Sequence, residues 1–234
     1  MTGLDITETL HALRERMRAA CARAARPEGA TRLVAVSKFH PQDAVMAALK
    51  AGQYTFGENR VQEAKAKFPP LWSRFPELQL HIIGTLQTNK ARDACRMADV
   101  IETLDRPALA DAIARAADQA GRLPRLLVQV NTGDEPQKSG ISRDAADAFI
   151  ESCRQRFGAQ LVGVMGIPPE KDDPTPHFTY LASLAARHDL PEVSMGMSND
   201  FETAIHCGAT LIRVGTAIFG QRASQPARHL TPDL

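Results

Sequence analysis

The chain has one tryptophan, two tyrosines and an aromatic content of 5%, too little for the stacking platforms on which single-stranded nucleic acids bind. Charge of either sign is not in excess, with 28 lysines and arginines against 27 aspartates and glutamates. A balanced chain without a basic cluster offers no electrostatic footprint for nucleic acid or an anionic membrane surface. No uncharged apolar run approaches the ~20 residues of a membrane span. The opening MTGLDITETLHALRERMRAA also lacks the apolar segment of a secretory signal. The four cysteines, Cys21, Cys95, Cys153 and Cys207, form no CxxC pair, which argues for reduced thiols in a cytoplasmic protein. The seven histidines show neither HxxxH nor HExxH spacing, so no metal site is expected.

What is present is a hydrophobic content of 44% over 234 residues, enough for a large core at a length normal for an α/β barrel. Residues 5–24 read as an amphipathic helix, with Leu10, Leu13 and Met17 on one stripe and Pro27 and Gly29 stopping it. Short apolar runs follow at LVAVS (33–37), YTF (54–56), LHIIG (80–84) and DVIET (99–103). Four more are RLLVQVN (125–131), LVGVMG (161–166), EVSMG (192–196) and TLIRV (210–214). Amphipathic stretches such as PQDAVMAALKAG and RPALADAIARAADQAG separate them. Pro41 and Pro107 suit first-turn positions, and Gly52, Gly121 and Gly158 suit the position just past a helix end. A doubly wound open sheet shares this alternation. The number and length of the strands favour a single (β/α)8 TIM-like barrel with an extra N-terminal helix, residues 1–220, followed by a loose tail over 221–234.

In such a barrel chemistry sits at the C-terminal ends of the strands. The first strand ends in LVAVSK, and alternation along a strand points Lys38 the same way as Val34 and Val36. An ammonium aimed at the rim of an apolar core is unusual unless it snorkels to solvent or is chemically employed. Two segments after the last strands resemble an anion cradle. Ser198 stands ahead of the helical run NDFETAIHCG as an N-cap, and Gly215-Thr216 lies between a strand and a short helical turn. Helix starts present unpaired N–H groups to a phosphate, although either residue alone could be only a cap or a turn. Arg213 interrupts the apolar run LIRV. It reads either as a ligand contact or as half of a structural ion pair with a barrel carboxylate such as Glu58.

A lysine among apolar walls has its charged form disfavoured, and the neutral amine condenses with an aldehyde to a Schiff base. A rim lysine, a phosphate cradle and a partner for a ring nitrogen together describe a site for pyridoxal 5′-phosphate. A barrel binding a phosphorylated sugar explains Lys38 less economically.

The segments VSK, FGENRVQEA, HIIGTLQTNK, SGI, SMGMSND and RVGTAIFG, spread from Leu33 to Gly220, closely resemble the pyridoxal phosphate homeostasis proteins. The resemblance implies one barrel similar to the N-terminal domain of bacterial alanine racemase, working as a monomer. It also implies that Lys38 carries the cofactor, that Ser198, Gly215 and Thr216 hold its phosphate, and that Arg213 meets the pyridine nitrogen. Asn59, in GEN, would lie beside the cofactor. The chain departs from the family pattern in carrying GENR and GTLQTNK where many members have GENY and GPLQSNK.

Two functions from different classes follow. One is a non-catalytic binder that buffers pyridoxal phosphate or delivers it to apo-enzymes; the other is an amino-acid racemase. Two-base racemisation needs an acid–base group on each face of the substrate carbon. In alanine racemase the second is a tyrosine from another domain. Here Tyr54 begins a strand and Tyr180 lies in a helical run, so neither suits the catalytic rim. The expectation is therefore the binder.

Overall fold

The computed structural model describes residues 5–220, and the tail expected over 221–234 lies outside them. The order is α1 (Ile6–Arg23), β1 (Arg32–Val36), α2 (Gln42–Lys50), β2 (Thr55–Glu58), α3 (Val61–Lys67), α4 (Pro69–Trp72), β3 (Gln79–Ile82), α5 (Ala91–Met97) and β4 (Val100–Leu104). Then come α6 (Pro107–Ala120), β5 (Arg125–Asn131), β6 (Ile141–Ser142), α7 (Arg143–Phe157), β7 (Leu161–Gly166), α8 (Pro174–Arg187), β8 (Glu192–Ser194), α9 (Phe201–His206), β9 (Leu211–Val214) and α10 (Thr216–Phe219). All eight expected strands form, with ends within two residues of the apolar runs.

The strands pair in the order β4-β3-β2-β1-β9-β8-β7-β5, and β4 pairs with β5 to close the ring. Every pairing is parallel, and the first strand meets the last through Arg32 opposite Leu211 and Val34 opposite Arg213. This closure decides between the barrel and the open sheet. The two-residue β6 adds to β5 outside the ring.

Side-chain alternation sorts the strand residues into two cores. Val34, Val100, Leu127, Met165 and Leu211 fill the inside of the barrel. Ala35, Phe56, Leu80, Ile101, Val128, Val164 and Ile212 belong to the larger core that packs against the helices. Because both faces are covered, β4 is buried at all five positions, and its sequence reads as a nearly continuous apolar run.

Helix α1 starts where Asp5 accepts a hydrogen bond from the Thr7 N–H at 2.8 Å, a side-chain cap worth about 1 kcal/mol. Its stripe of Leu10, Leu13 and Met17 is buried and covers α9 and α10. Thr9 Oγ1 ties it to the Ile218 carbonyl at 2.9 Å. The helix ends at Arg23, before Pro27, and Ala25 makes the turn with φ +53°. Pro41 takes the N-cap position of α2 rather than a first-turn position, while Pro107 opens α6 and Gly121 closes it in the left-handed region, at φ +63°. No helix among the described residues is long and apolar enough to cross a membrane.

Candidate functional site

At the C-terminal ends of the strands lies a cavity of about 350 Å³, lined among others by Lys38, Asn59, Ser198, Arg213, Gly215 and Thr216. All six residues singled out in the sequence therefore meet in one place, although they come from four strand ends spread over the chain. Val36, Ile83, Ile167 and Met197 give the cavity apolar walls. Its size falls within the ~300–1,000 Å³ of small-molecule sites.

Lys38 lies two residues beyond the end of β1 rather than within it, half-buried. The strand end is pinned at Ser37. Its N–H donates to the Gly57 carbonyl at 3.1 Å, and its hydroxyl donates to Glu58 Oε1 at 2.7 Å. The Lys67 ammonium donates both to the Ser37 carbonyl at 2.8 Å and to Glu58 Oε1 at 2.5 Å. Directly after Lys38 the chain reverses through Phe39, whose φ of +65° is rare for a bulky residue and marks a locally strained backbone. His40 follows, lining the same cavity with its ring 5.0 Å from that of Phe219. Burial and then the nearby Lys67 charge lower the pKa of His40, which keeps its imidazole neutral at pH 7.

Asn59 follows β2 and is held by a close backbone approach. A Cβ at Gly84 would stand 2.4 Å from the Asn59 carbonyl oxygen, so only glycine fits there. Gly215 plays a similar part across the cavity, where an added Cβ would meet the Val36 carbonyl at 3.0 Å. It occupies the N-cap position of α10, with Thr216 as that helix's first residue. Ser198 does not cap its helix. Asp200 holds the N-cap position of α9 and its carboxylate accepts from the Met197 N–H at 2.6 Å. That contact shapes the turn carrying Ser198 into the cavity wall.

Arg213 is buried, 4% exposed, and its fork is committed. One terminal nitrogen donates to Ser194 Oγ at 2.6 Å and the other to the Gly166 carbonyl at 2.9 Å. The carboxylate near it is Glu102, with Oε2 at 3.9 Å, not Glu58 as the sequence allowed. Strand parity explains the correction. Glu58 shares the outward face of β2 with Phe56 and meets Lys67 of α3, whereas Glu102 faces the barrel interior. Ser194 Oγ–H donates to Glu102 Oε2 at 2.6 Å, and His81 Nδ1–H to Oε1 at 2.6 Å.

Sequence reasoning missed His40, Ser194, His81 and Glu102. One signal was available: Glu102 interrupts VIETL as Arg213 interrupts LIRV, two opposite charges in buried strands. Two of the residues at which the chain departs from the family pattern lie to one side. Arg60 and Thr85 line a neighbouring cavity of about 560 Å³ with Gln87 and Lys90, joined to the first through Asn59.

Residues 9–223 match the family model described as alanine racemase, N-terminal domain. The curated relatives are narrower. A pyridoxal phosphate homeostasis protein of Aquifex aeolicus is 35% identical over 94% of this chain and 99% of its own. The human protein of that name is 37% identical over 98% of this chain and 90% of its own. PipY from Synechococcus elongatus, solved without pyridoxal phosphate and with it bound, is 38% identical. The match covers 92% of this chain and 100% of PipY, with TM-scores of 0.81 and 0.78. The chain belongs to the pyridoxal phosphate homeostasis protein family.

Proposed function

We propose that this chain binds pyridoxal 5′-phosphate inside the cell and serves its homeostasis, holding the cofactor as a Schiff base on Lys38 and buffering it or delivering it to apo-enzymes. Residues 1–220 would act as one monomeric, cytoplasmic binding domain without a catalytic role. The observation that carries this reading is the single cavity shared by Lys38, Asn59, Ser198, Arg213, Gly215 and Thr216. Its residues fit the group. Apolar side chains of Val36, Ile83 and Ile167 suit the faces of an aromatic ring, and the hydroxyls of Ser198 and Thr216 suit a phosphate. Arg213 supplies a fixed donor at the ring nitrogen. Bound pyridoxal phosphate supplies the aldehyde with which a lysine amine condenses.

The test is borohydride reduction of the loaded protein followed by peptide mapping. The label is expected on Lys38, and recovery on Lys65 or Lys90 would overturn the assignment. Losing one charge-assisted hydrogen bond costs about 1.5–3 kcal/mol. Ser198→Ala and Thr216→Ala should accordingly weaken binding tenfold or more by equilibrium titration. Pyridoxal without its phosphate should bind far less tightly than the phosphate ester.

A second reading, an amino-acid racemase, draws on His40, which lines the cavity with Lys38 and whose pKa is lowered by burial and then by the Lys67 charge. Tyr54 and Tyr180 lie elsewhere, the latter donating its hydroxyl to the Arg143 carbonyl at 3.2 Å. Exchange of substrate α-protons into deuterated water decides between the two. The binder predicts rates orders of magnitude below the ~10 s⁻¹ typical of enzymes. Exchange near that rate, lost in both Lys38→Ala and His40→Phe, would establish the racemase.

A further inference from the structure

Inside the barrel, directly below the cavity, four polar side chains form one continuous chain. Arg213 N–H donates to Ser194 Oγ, Ser194 O–H donates to Glu102 Oε2, and His81 Nδ1–H donates to Glu102 Oε1, each over 2.6 Å. They come from four strands, β9, β8, β4 and β3, and all are at least 96% buried. Around them inside the barrel pack the apolar side chains of Val34, Val100, Leu127, Met165 and Leu211. Such a chain is costly to bury. Glu102 has a donor on each oxygen, while His81 Nε2 has no partner among the described residues. An arginine held merely for packing does not need such a chain. Its upper end is the side chain that faces the cavity.

We propose that Glu102 and Ser194 are positioning residues for the cofactor contact: Ser194 fixes the guanidinium of Arg213, and the buried carboxylate of Glu102 offsets its charge. The proposal rests on the reading that pyridoxal phosphate binds here with its ring nitrogen at Arg213. The consequence is electrical. Arginine cannot accept a proton from the ring nitrogen and serves it only as a donor, so without a counter-charge it would impose an unscreened positive field on the ring and on the Lys38 linkage. Glu102, 3.9 Å from the guanidinium, makes the pair nearly neutral as seen from the cavity. The ligand then meets a directional hydrogen bond rather than a bare cation.

The ionisable groups around this pair are few. Lys38 and His40 face the cavity from the β1–α2 connection, His81 stands on β3 and Glu102 on β4, and Asp200 precedes α9 and acts on Arg213 through space. Removing the charge of Glu102 while keeping its shape therefore changes one defined contribution to the field.

The experiment is a spectrophotometric pH titration of the visible band of the full chain loaded with pyridoxal phosphate, in wild type, Glu102→Gln, Glu102→Asp and Ser194→Ala. A more positive field disfavours the proton on the linkage nitrogen. In Glu102→Gln the band should be lost at lower pH, the midpoint falling by about one unit, a tenfold change in proton affinity. Glu102→Asp keeps the charge and should stay closer to wild type. Ser194→Ala leaves both charges in place but frees the guanidinium, so the midpoint should move less while the affinity falls several-fold. A folded Glu102→Gln protein whose midpoint stays within about 0.2 units of wild type would overturn the proposal. If that variant does not fold, unchanged midpoint and affinity in Ser194→Ala would overturn it instead. No visible band in the wild type would overturn the underlying binding reading, a separate failure with its own signature.

Discussion

Glu58 and Glu102 are both completely buried, at 0% exposure, yet their environments drive them in opposite directions. Glu58 lies outside the barrel ring, where Lys67 and Ser37 both donate to Oε1 and Oε2 has no partner among the described residues. Burial dominates there and raises its pKa, against the opposing effects of Lys67 and Ser37. Glu102 lies inside the ring with a donor on each oxygen. Burial is again the largest single effect and would raise the pKa. The His81 hydrogen bond, His81 and Arg213 beside it, and the Ser194 hydroxyl together outweigh that and hold it below its ordinary value. The comparison teaches that depth does not decide whether a carboxylate stays ionised. Each receives two donors, and what differs is their distribution. Both fall on one oxygen of Glu58, whereas Glu102 has one on each oxygen and the Arg213 cation nearby as well.

The largest break in this comparison should come from Glu102→Ala. It strands the buried guanidinium of Arg213, and removing one partner of a buried pair typically costs about 3–5 kcal/mol. Urea unfolding at pH 7 measures it. Lys67→Met should cost less, about 1–3 kcal/mol, because Glu58 can take up a proton and leave an unsatisfied but neutral group. Equal losses in the two variants would erase the distinction.

The smallest effect is also the most specific, and it lies in the pH dependence. Glu58 has a raised folded pKa, so its contribution to stability is fully present below the ordinary value of 4.5 and is lost as pH rises through the folded value. Glu102 has a lowered folded pKa, so its contribution is present above 4.5 and is lost as pH falls through the folded value. Compared with Glu58→Gln, the wild type should gain relative stability as pH falls from 7 toward 4. Compared with Glu102→Gln, it should lose relative stability as pH falls below 4.5. Parallel slopes in the two comparisons, by the same urea series, would contradict the assignment.

Much of this molecule was legible without its structure. The eight apolar runs, the amphipathic segments and the punctuation by Pro107 and Gly121 follow from local rules: alternation along a strand, a stripe on a helix, a fixed φ or a left-handed turn. Lys38 and Arg213 stood out because a charge within or at the end of a buried strand contradicts its surroundings. The helix starts after the last two strands then pointed to Ser198, Gly215 and Thr216, and motif resemblance added Asn59. Local rules erred where the answer depended on a turn's detailed path, as when Asp200 rather than Ser198 took the N-cap position.

Composition, periodicity and the order of the motifs thus determined by themselves that this chain alternates strand and helix, and which residues would gather at one end of the strands. Only the tertiary structure decided that the sheet closes, with β1 beside β9 and β4 beside β5. Only it decided that Arg213 faces Glu102 while Glu58 faces Lys67. The reason is that strand parity tells which face a side chain takes but not whose side chain shares it. Glu102 and Arg213 are 111 positions apart in the chain, and the ring closure that brings them together depends on pairing between distant strands, to which no local pattern in either one refers.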